Sequence, residues 1–151
     1  MIINEESSGN SIFYSNKLYM DYIFDFPKLS DYFAYDYRDI KSYKKRMKEI
    51  EQSYDNNLRK GLVEILNDHN CTLGAGKETL KNIRKLGQSG TAVIIGGQQP
   101  GLFTGPAFII YKIITVLKLS RFISETIGIR TVPCFWNASD DSSKGQVDSI
   151  G

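Results

Sequence analysis

The sequence predicts an α/β fold built on a parallel strand–helix–strand unit. A short β-rich apolar run covers 91–95, an apolar helical stretch covers 106–127, and a second β-rich run covers 129–136. A glycine-rich turn separates the first run from the helix. Strands joined in this way are parallel and have a right-handed crossover. Both therefore end at the same edge of the sheet, where α/β proteins bind their ligands.

An N-terminal region and an aromatic arm come before this unit. Residues 1–17 are polar and rich in Asn and Ser, which predicts loose order, and the domain proper is predicted to cover 18–151. Eight aromatic residues crowd the arm: Tyr19, Tyr22, Phe24, Phe26, Tyr32, Phe33, Tyr35 and Tyr37. They lie among aspartates, whereas a base-stacking surface would place such rings beside Lys and Arg. We interpret the arm as a segment that packs across a core.

Two helices follow the arm. Apolar residues recur every three or four positions from 41 to 68, which predicts one helix with a basic outer face. That face could contact an anionic substrate or nucleic acid, but a solvated surface is the favoured interpretation. A shorter helix is predicted at 77–86, with Leu80, Ile83 and Leu86 facing inward. His69 lies near a helix end, where a surface or capping role is commoner than catalysis.

The glycine-rich turn reads Gly96-Gly97-Gln98-Gln99-Pro100-Gly101-Leu102-Phe103-Thr104-Gly105-Pro106. Glycine lets backbone N–H groups approach a ligand, and the helix that follows, with Pro106 expected at its first position, offers unpaired N–H groups. The turn lacks the Lys-Ser/Thr of a P-loop and the Gly-x-Gly-x-x-Gly of dinucleotide-binding folds. It is either an anion-binding turn or a tight turn whose glycines only allow close packing.

The helix at 106–127 carries a narrow polar stripe on an apolar cylinder, which predicts burial around most of its circumference. Gly128 is expected to end it. The crossover brings the glycine-rich turn opposite the polar residues that follow the second strand. Candidate substrate-binding residues are Gly97, Gln98, Gln99, Gly101, Thr104, Gly105, Lys112, Asn137 and Ser139. Lys112, one turn into the helix, could equally be the contact of the polar stripe with solvent. Asp140 and Asp141 are candidate catalytic carboxylates, or else a plain turn pair.

Composition narrows the possible partners. The net charge of +2, from 19 basic and 17 acidic residues, gives no reason to expect a nucleic-acid partner. Cys71 and Cys134 lack metal-type spacing, so no metal site is expected and both read as reduced, cytoplasmic thiols. The N-terminus lacks the pattern of a signal peptide. The apolar stretch 107–119 contains two lysines, which favours a buried helix over a membrane span.

Several motifs resemble the bacillithiol-biosynthesis cysteine-adding enzymes of the BshC type. They are Gly97-Gln98-Gln99-Pro100-Gly101-Leu102-Phe103-Thr104-Gly105-Pro106, Ile110-Tyr111-Lys112 and Val132-Pro133-Cys134-Phe135-Trp136-Asn137-Ala138-Ser139-Asp140-Asp141. The aromatic segments Tyr19-Met20-Asp21-Tyr22 and Tyr32-Phe33-Ala34-Tyr35-Asp36 are similar to the start of the family sequence. The resemblance covers about 17–141 and implies the N-terminal part of a Rossmann-like domain.

The resemblance implies a ligase that joins cysteine to glucosamine-malate, the last step towards bacillithiol. The implied partners are these two small molecules, and self-association into a homo-oligomer is left open. Forming an amide from a carboxylate requires activation, so ATP or another nucleotide is a candidate cofactor of the full-length family. An aspartate could hold the ammonium of cysteine, while the glycine-rich turn holds a carboxylate or phosphate.

The sequence departs from the family pattern after Asp141. Where the family has His-Asp and a further His, this chain has Ser142-Ser143-Lys144-Gly145 and Ser149. Only two strands are predicted, whereas a complete mononucleotide-binding half has three. We therefore expect an incomplete sheet and a truncated reading frame. Three hypotheses follow: an N-terminal piece of a cysteine ligase that is inactive alone, a scaffold fragment that pairs with a full-length homologue, or a remnant without function.

Overall fold

The computed structural model describes residues 16–101 and 105–139. Within them the chain forms five α-helices and a two-stranded parallel sheet, which confirms the predicted α/β class and its strand–helix–strand unit. The chain divides into two compact units, one ending at Ser42 and the other beginning at Tyr43. Of the region predicted to be loosely ordered, only Asn16 and Lys17 fall among the described residues.

The first unit is held by aromatic rings that pack on one another. Helix α1 (Lys17–Phe24) begins after Asn16, whose side-chain oxygen accepts the N–H of Tyr19 at 3.1 Å, and a 3₁₀ turn covers Phe26–Leu29. The ring of Tyr22 stacks on Tyr37 at a centroid distance of 5.1 Å. It also meets the rings of Phe26 and Phe33 edge-on or tilted. The aromatic arm is thus a small packed cluster, and its placement across a larger core stays a prediction.

The prediction of one helix over 41–68 is wrong, because the chain breaks at 54–55. Helix α2 covers Ile40–Ser53 and helix α3 covers Asn56–Thr72. Asp55 is extended, and its carboxylate accepts the N–H of Asn57 at 2.8 Å, so it caps α3. The apolar period continues through the break, which is why the pattern alone reads as one helix.

A buried arginine links helix α3 to the end of the next helix and to the residue that precedes the first strand. Arg59 of α3 donates from Nη1 to the carbonyl of Leu86 at 2.8 Å and to that of Thr91 at 3.1 Å. Leu86 is the last residue of helix α4, which spans Lys77–Leu86 as predicted. The guanidinium also lies 4.9 Å from the ring centroid of Tyr54. The carbonyl of Leu86 lies at a helix end, where carbonyls carry partial negative charge, so it helps to compensate the buried cation.

The sheet consists of β1 (Ala92–Gln98) and β2 (Thr131–Asn137), which pair in parallel. β1 is three residues longer at its carboxyl end than the predicted 91–95, because it continues through two glycines and Gln98. Helix α5 covers Ala107–Phe122 and runs on into a π-turn at Ile123–Ile127. Pro106 is the N-cap rather than the first helical residue, so that prediction is wrong by one position. Gly128, in the left-handed region at φ 78°, ends the helix as predicted.

Strand and helix approach each other closely at Gly96. A Cβ atom added at Gly96 would lie 2.6 Å from Cγ2 of Val116 on α5, a distance that real Cβ atoms do not show. At the far end of α5, the hydroxyl of Thr131 donates to the carbonyl of Ser120 at 2.7 Å, and the N–H of Thr131 donates to the hydroxyl of Ser124 at 3.2 Å. The crossover is therefore fixed at its middle and at its entry into β2.

The prediction that α5 is buried around most of its circumference is wrong for the described residues. Only Ile109, Val116 and Ser120 of this helix are buried. Its exposed apolar residues are Phe108, Ile110, Tyr111, Ile114, Leu117 and Phe122. Ile95 and Trp136 lie on the sheet face opposite α5 and are 67% and 60% exposed. Both the outer side of the helix and part of the sheet thus present apolar surface.

Replacing Gly96 by Ala should destabilise the second unit by about 1–3 kcal/mol, because the new methyl group overlaps Val116. The matched control is Gly61→Ala in α3, where an added Cβ meets nothing within 4 Å and the helix should gain about 0.5–1 kcal/mol. Urea unfolding followed by circular dichroism measures both. Equal stabilities of the two variants would contradict this account of the strand–helix contact.

Candidate functional site

The two strands end side by side. Gln98 and Asn137 are partners in the parallel register, and the ladder continues one step further because the N–H of Ala138 donates to the carbonyl of Gln98 at 3.1 Å. Partners in a parallel pair project from the same face of the sheet. The structure therefore brings these two predicted site residues together on the face that α5 covers, while their role in binding substrate stays a prediction.

Lys112 reaches this strand end from the second turn of α5. Its Nζ donates to Oε1 of Gln98 at 2.6 Å. The same ammonium lies 5.3 Å from the ring centroid of Phe108, one helical turn earlier. Sequence reasoning missed Phe108, although a Phe–Lys pair four residues apart on a helix is a recognisable signal for such a contact. A cation, an amide and an aromatic ring thus meet beside the end of β1.

After Gly96, the glycines of the turn occupy positions where a side chain would clash with the backbone or where the backbone has a positive φ. A Cβ at Gly97 would come within 3.0 Å of the carbonyl oxygen of Trp136 on the neighbouring strand. A Cβ at Gly101 would lie 2.7 Å from Cα of Gly105, which itself adopts φ 69°. The turn after β1 therefore closes tightly on itself, as the close-packing interpretation expects. The anion-binding interpretation stays a prediction.

The remaining predicted site residues fall into two groups. Gln99 is half-buried at the start of the turn, and Ser139 is exposed two residues after β2. Thr104, Asp140 and Asp141 lie outside the described residues, so the predicted catalytic carboxylates receive no structural account. The side of the site that the structure describes is built from Gln98, Lys112 and Asn137.

One partly open cavity of about 360 Å³ lies elsewhere, at the beginning of β1. It is lined by Tyr43, Arg46, Met47, Ile50, Ala92, Val93, Ile94, Ile123, Ile129 and Thr131. These side chains are mostly apolar, and they come from α2, from the start of both strands and from the segment after α5. The cavity therefore does not coincide with the predicted site at the carboxyl ends of the strands.

Two further findings concern the described residues as a whole. No group of three or more His, Cys, Asp or Glu side chains among them is placed to hold a metal ion. None of the helices within 16–101 and 105–139 combines the length and the apolar character needed to cross a membrane.

The two thiols occupy different surroundings. Cys71 is exposed in the last turn of α3, whereas Cys134 is half-buried within β2. Burial raises the pKa of the Cys134 thiol, because an apolar environment disfavours the thiolate. Cys134 is paired with Ile95 on the sheet face opposite α5, away from Lys112. The thiolate of Cys134 is therefore disfavoured, and its side chain lies on the other face of the sheet from Gln98.

The comparisons with known proteins concern the fold to which this site belongs. The family model described as "Bacillithiol biosynthesis BshC, N-terminal Rossmann-like domain" matches residues 4–148. This chain belongs to the BshC family. The match includes both strands, α5 and the glycine-rich turn, so the two-stranded sheet is part of a Rossmann-like domain.

Relatives within the BshC family are much longer than this chain. A protein of Geobacillus thermodenitrificans named "Putative cysteine ligase BshC" is 35% identical over 137 residues, which are 90% of this chain and 25% of that protein. A Geobacillus kaustophilus protein of the same name is 37% identical over 138 residues, with the same coverage. A Bacillus cereus (strain G9842) protein of that name is 41% identical over 91 residues, 60% of this chain and 17% of the relative. The chain spans a quarter or less of the length of these curated relatives.

Iodoacetamide should modify Cys71 several-fold faster than Cys134 at mildly alkaline pH, since the thiolate is the reacting form and burial suppresses it at Cys134. Labelling of Cys134 should rise only as the pH passes its raised pKa. Peptide mass spectrometry of the folded chain measures both rates, and a urea-unfolded sample serves as the control in which the two rates converge. Faster modification of Cys134 in the folded chain would contradict the burial described here.

Proposed function

We propose that this chain is the N-terminal part of a BshC-type cysteine ligase, and that its strand-end site binds an anionic group of the sugar substrate, glucosamine-malate. The observation that carries the proposal is the Lys112 ammonium bound to the Gln98 amide at the carboxyl edge of the parallel sheet. That edge is where α/β sheets bind ligands. The relatives named "Putative cysteine ligase BshC" support the proposed reaction class.

The chemistry divides the substrates between the two sides of the site. Joining cysteine to the amino group of glucosamine-malate forms a C–N bond between the glucosamine nitrogen and the carboxyl carbon of cysteine. The nitrogen loses a proton, and a carboxyl oxygen of cysteine departs with its activating group, so the malyl carboxylates remain as anions. Lys112 and the amide of Gln98 offer donors that suit a carboxylate or phosphate. Asp140 and Asp141 are proposed to hold the ammonium of cysteine by charge. Asn137 and Ser139 would orient the substrate between them.

The departing oxygen must first be turned into a leaving group, and ATP or another nucleotide is the candidate for that step in the complete family protein. The sequence contains neither a P-loop nor a dinucleotide-binding motif. We therefore assign no residue of this chain to a nucleotide. The residues of this chain are proposed to bind and orient substrate, in the cytoplasm where such small-molecule synthesis takes place.

Activity is proposed to require more sequence than this chain carries. It spans about a quarter of the relatives from Geobacillus, and it has serines where the family resemblance leads us to expect histidines after Asp141. A second candidate function is a scaffold fragment that pairs with a full-length homologue. The exposed apolar side of α5 favours that alternative, because soluble proteins seldom leave such a surface uncovered.

Titrating the chain with L-malate should shift backbone amide resonances of 97–105 and of Asn137, because the anion is expected beside Gln98 and Lys112. Gln98→Ala should weaken this binding about 3- to 10-fold through loss of one amide contact. Gln88→Ala, at an exposed glutamine after α4, is the matched control and should bind as the unaltered chain does. Shifts confined to α2 around Lys44–Lys48 would move the site to the basic helix and contradict the proposal.

Complementation of a strain that lacks its BshC gene tests the catalytic part. This chain alone should restore no bacillithiol, whereas the Geobacillus kaustophilus relative should restore it. In that relative, replacing by Ala the glutamine that matches Gln98 or the aspartate that matches Asp141 should lower thiol production at least about tenfold, since a group that orients substrate or stabilises charge is lost. Immunoblots control for protein level. Rescue by this chain alone, or full activity of both variants, would overturn the proposal.

A further inference from the structure

The contact between Lys112 and Gln98 determines which end of the amide the site presents. Nζ of Lys112 lies 2.6 Å from Oε1 of Gln98. An ammonium group has three donors and no acceptor, so only the oxygen of the amide can face it. The NH₂ group of Gln98 is consequently the end that remains for a ligand. Without such a neighbour, the side-chain amide could rotate by about 180° and present its oxygen to a ligand instead of its NH₂ group.

The packing of α5 on β1 holds the two side chains at this distance. Helix and strand touch at Val116 and Gly96, where no Cβ intervenes. Lys112 lies one helical turn before Val116, and Gln98 lies two residues after Gly96 on the same face of the strand. The centroid of the Phe108 ring lies 5.3 Å from the ammonium and attracts it through its π-electrons. The lysine is thus restrained by two contacts although its side chain is exposed.

We propose that Lys112 is a positioning residue that holds the Gln98 amide with its NH₂ group toward the ligand. This orientation makes the site selective for a ligand carboxylate over a ligand of the same shape that carries an uncharged amide instead. The inference rests on the proposed function, since it concerns the same strand-end site. With the amide locked, both Lys112 and Gln98 present donors only. Without the lock, the amide can present its oxygen, which repels a carboxylate and accepts a hydrogen bond from an uncharged ligand.

The test uses the full chain with Lys112→Met, which keeps an unbranched apolar stem and removes the donor, and Lys112→Arg, which restores a donor-only group. Lys118→Met is the matched control, because Lys118 is an exposed lysine on the same helix, six residues further on. Gln98→Glu has no side-chain amide, so its spectrum identifies the NH₂ resonances of Gln98. The probes are L-malate and its uncharged diamide, malamide.

In the ligand-free chain, Lys112→Met should lower the heteronuclear NOE of the Gln98 NH₂ group, and Lys118→Met should leave it unchanged. Lys112→Met should also reduce the preference for malate over malamide about 3- to 10-fold, the range of one charge-assisted hydrogen bond at an exposed site. Lys112→Arg should retain most of that preference. Gln98→Glu should keep the contact with Lys112 as an ion pair yet lose malate binding, because it turns a carboxylate oxygen toward the ligand.

The outcomes separate this inference from the proposed function. If the heteronuclear NOE of the Gln98 NH₂ group is the same in Lys112→Met and in Lys118→Met, Lys112 does not position the amide, and this conclusion holds whether or not malate binds. If the Gln98 amide becomes disordered in Lys112→Met but the preference for malate over malamide is unchanged, the proposed effect of Lys112 on selectivity is wrong. If malate shifts no resonance at the strand ends of the unaltered chain, the proposed binding site and the selectivity fail, while the order of the amide still decides the role of Lys112.

Discussion

The close approach of β1 and α5 at Gly96 is the constraint on which the second unit depends. With no side chain at Gly96, Val116 rests directly on the strand backbone and the helix lies nearer the sheet than any larger residue would allow. That distance places the second turn of α5 within reach of the carboxyl end of β1. The pairing of Lys112 with Gln98 and the position of the glycine-rich turn both follow from it.

At the other end of the crossover, hydroxyl groups connect the end of α5 to the start of β2. Thr131, at the start of β2, contacts the hydroxyls of both Ser120 and Ser124, at 3.0 and 2.7 Å. Its hydroxyl also donates to the carbonyl of Ser120, close to the point where α5 widens into the π-turn. The same carbonyl also accepts the backbone N–H of Ile123, the residue at which the helix widens. The side chain of Thr131 therefore ties the last turn of α5 to the start of β2.

Much of this architecture was predictable from local patterns, because β-rich runs, a long apolar stretch and the stop at Gly128 leave clear marks in a sequence. The break between α2 and α3 was not, since apolar periodicity continues across Asp55 and only its capping role reveals the boundary. The extension of β1 through Gly96 and Gly97 was missed because glycine is uncommon in strands. Here the absence of side chains is what allows the neighbouring helix and strand to approach.

The location of the candidate site at the edge of the sheet was predictable from the sequence, but the side-chain contacts within it were not. Parallel topology alone puts Gln98 and Asn137 at one edge, so that part follows from the order of the elements. The contact of Lys112 with Gln98 depends on the height of α5 above the sheet, which no spacing in the sequence encodes. The exposure of α5 was missed for a different reason: an apolar helix predicts burial, but what covers it need not lie in the same stretch of chain.

The two units differ in whether the partner of a key arginine can be protonated by acid. In the first unit, hydrogen bonds from Arg38 lower the pKa of the Asp36 carboxyl, so the contribution of this pair is present near neutral pH and is lost as the pH falls through that lowered pKa. In the second unit, Arg59 is bound to two backbone carbonyls instead of a carboxylate. The link from α3 to the end of α4 and to Thr91 therefore contains no carboxylate for acid to neutralise, in contrast to the Arg38–Asp36 pair.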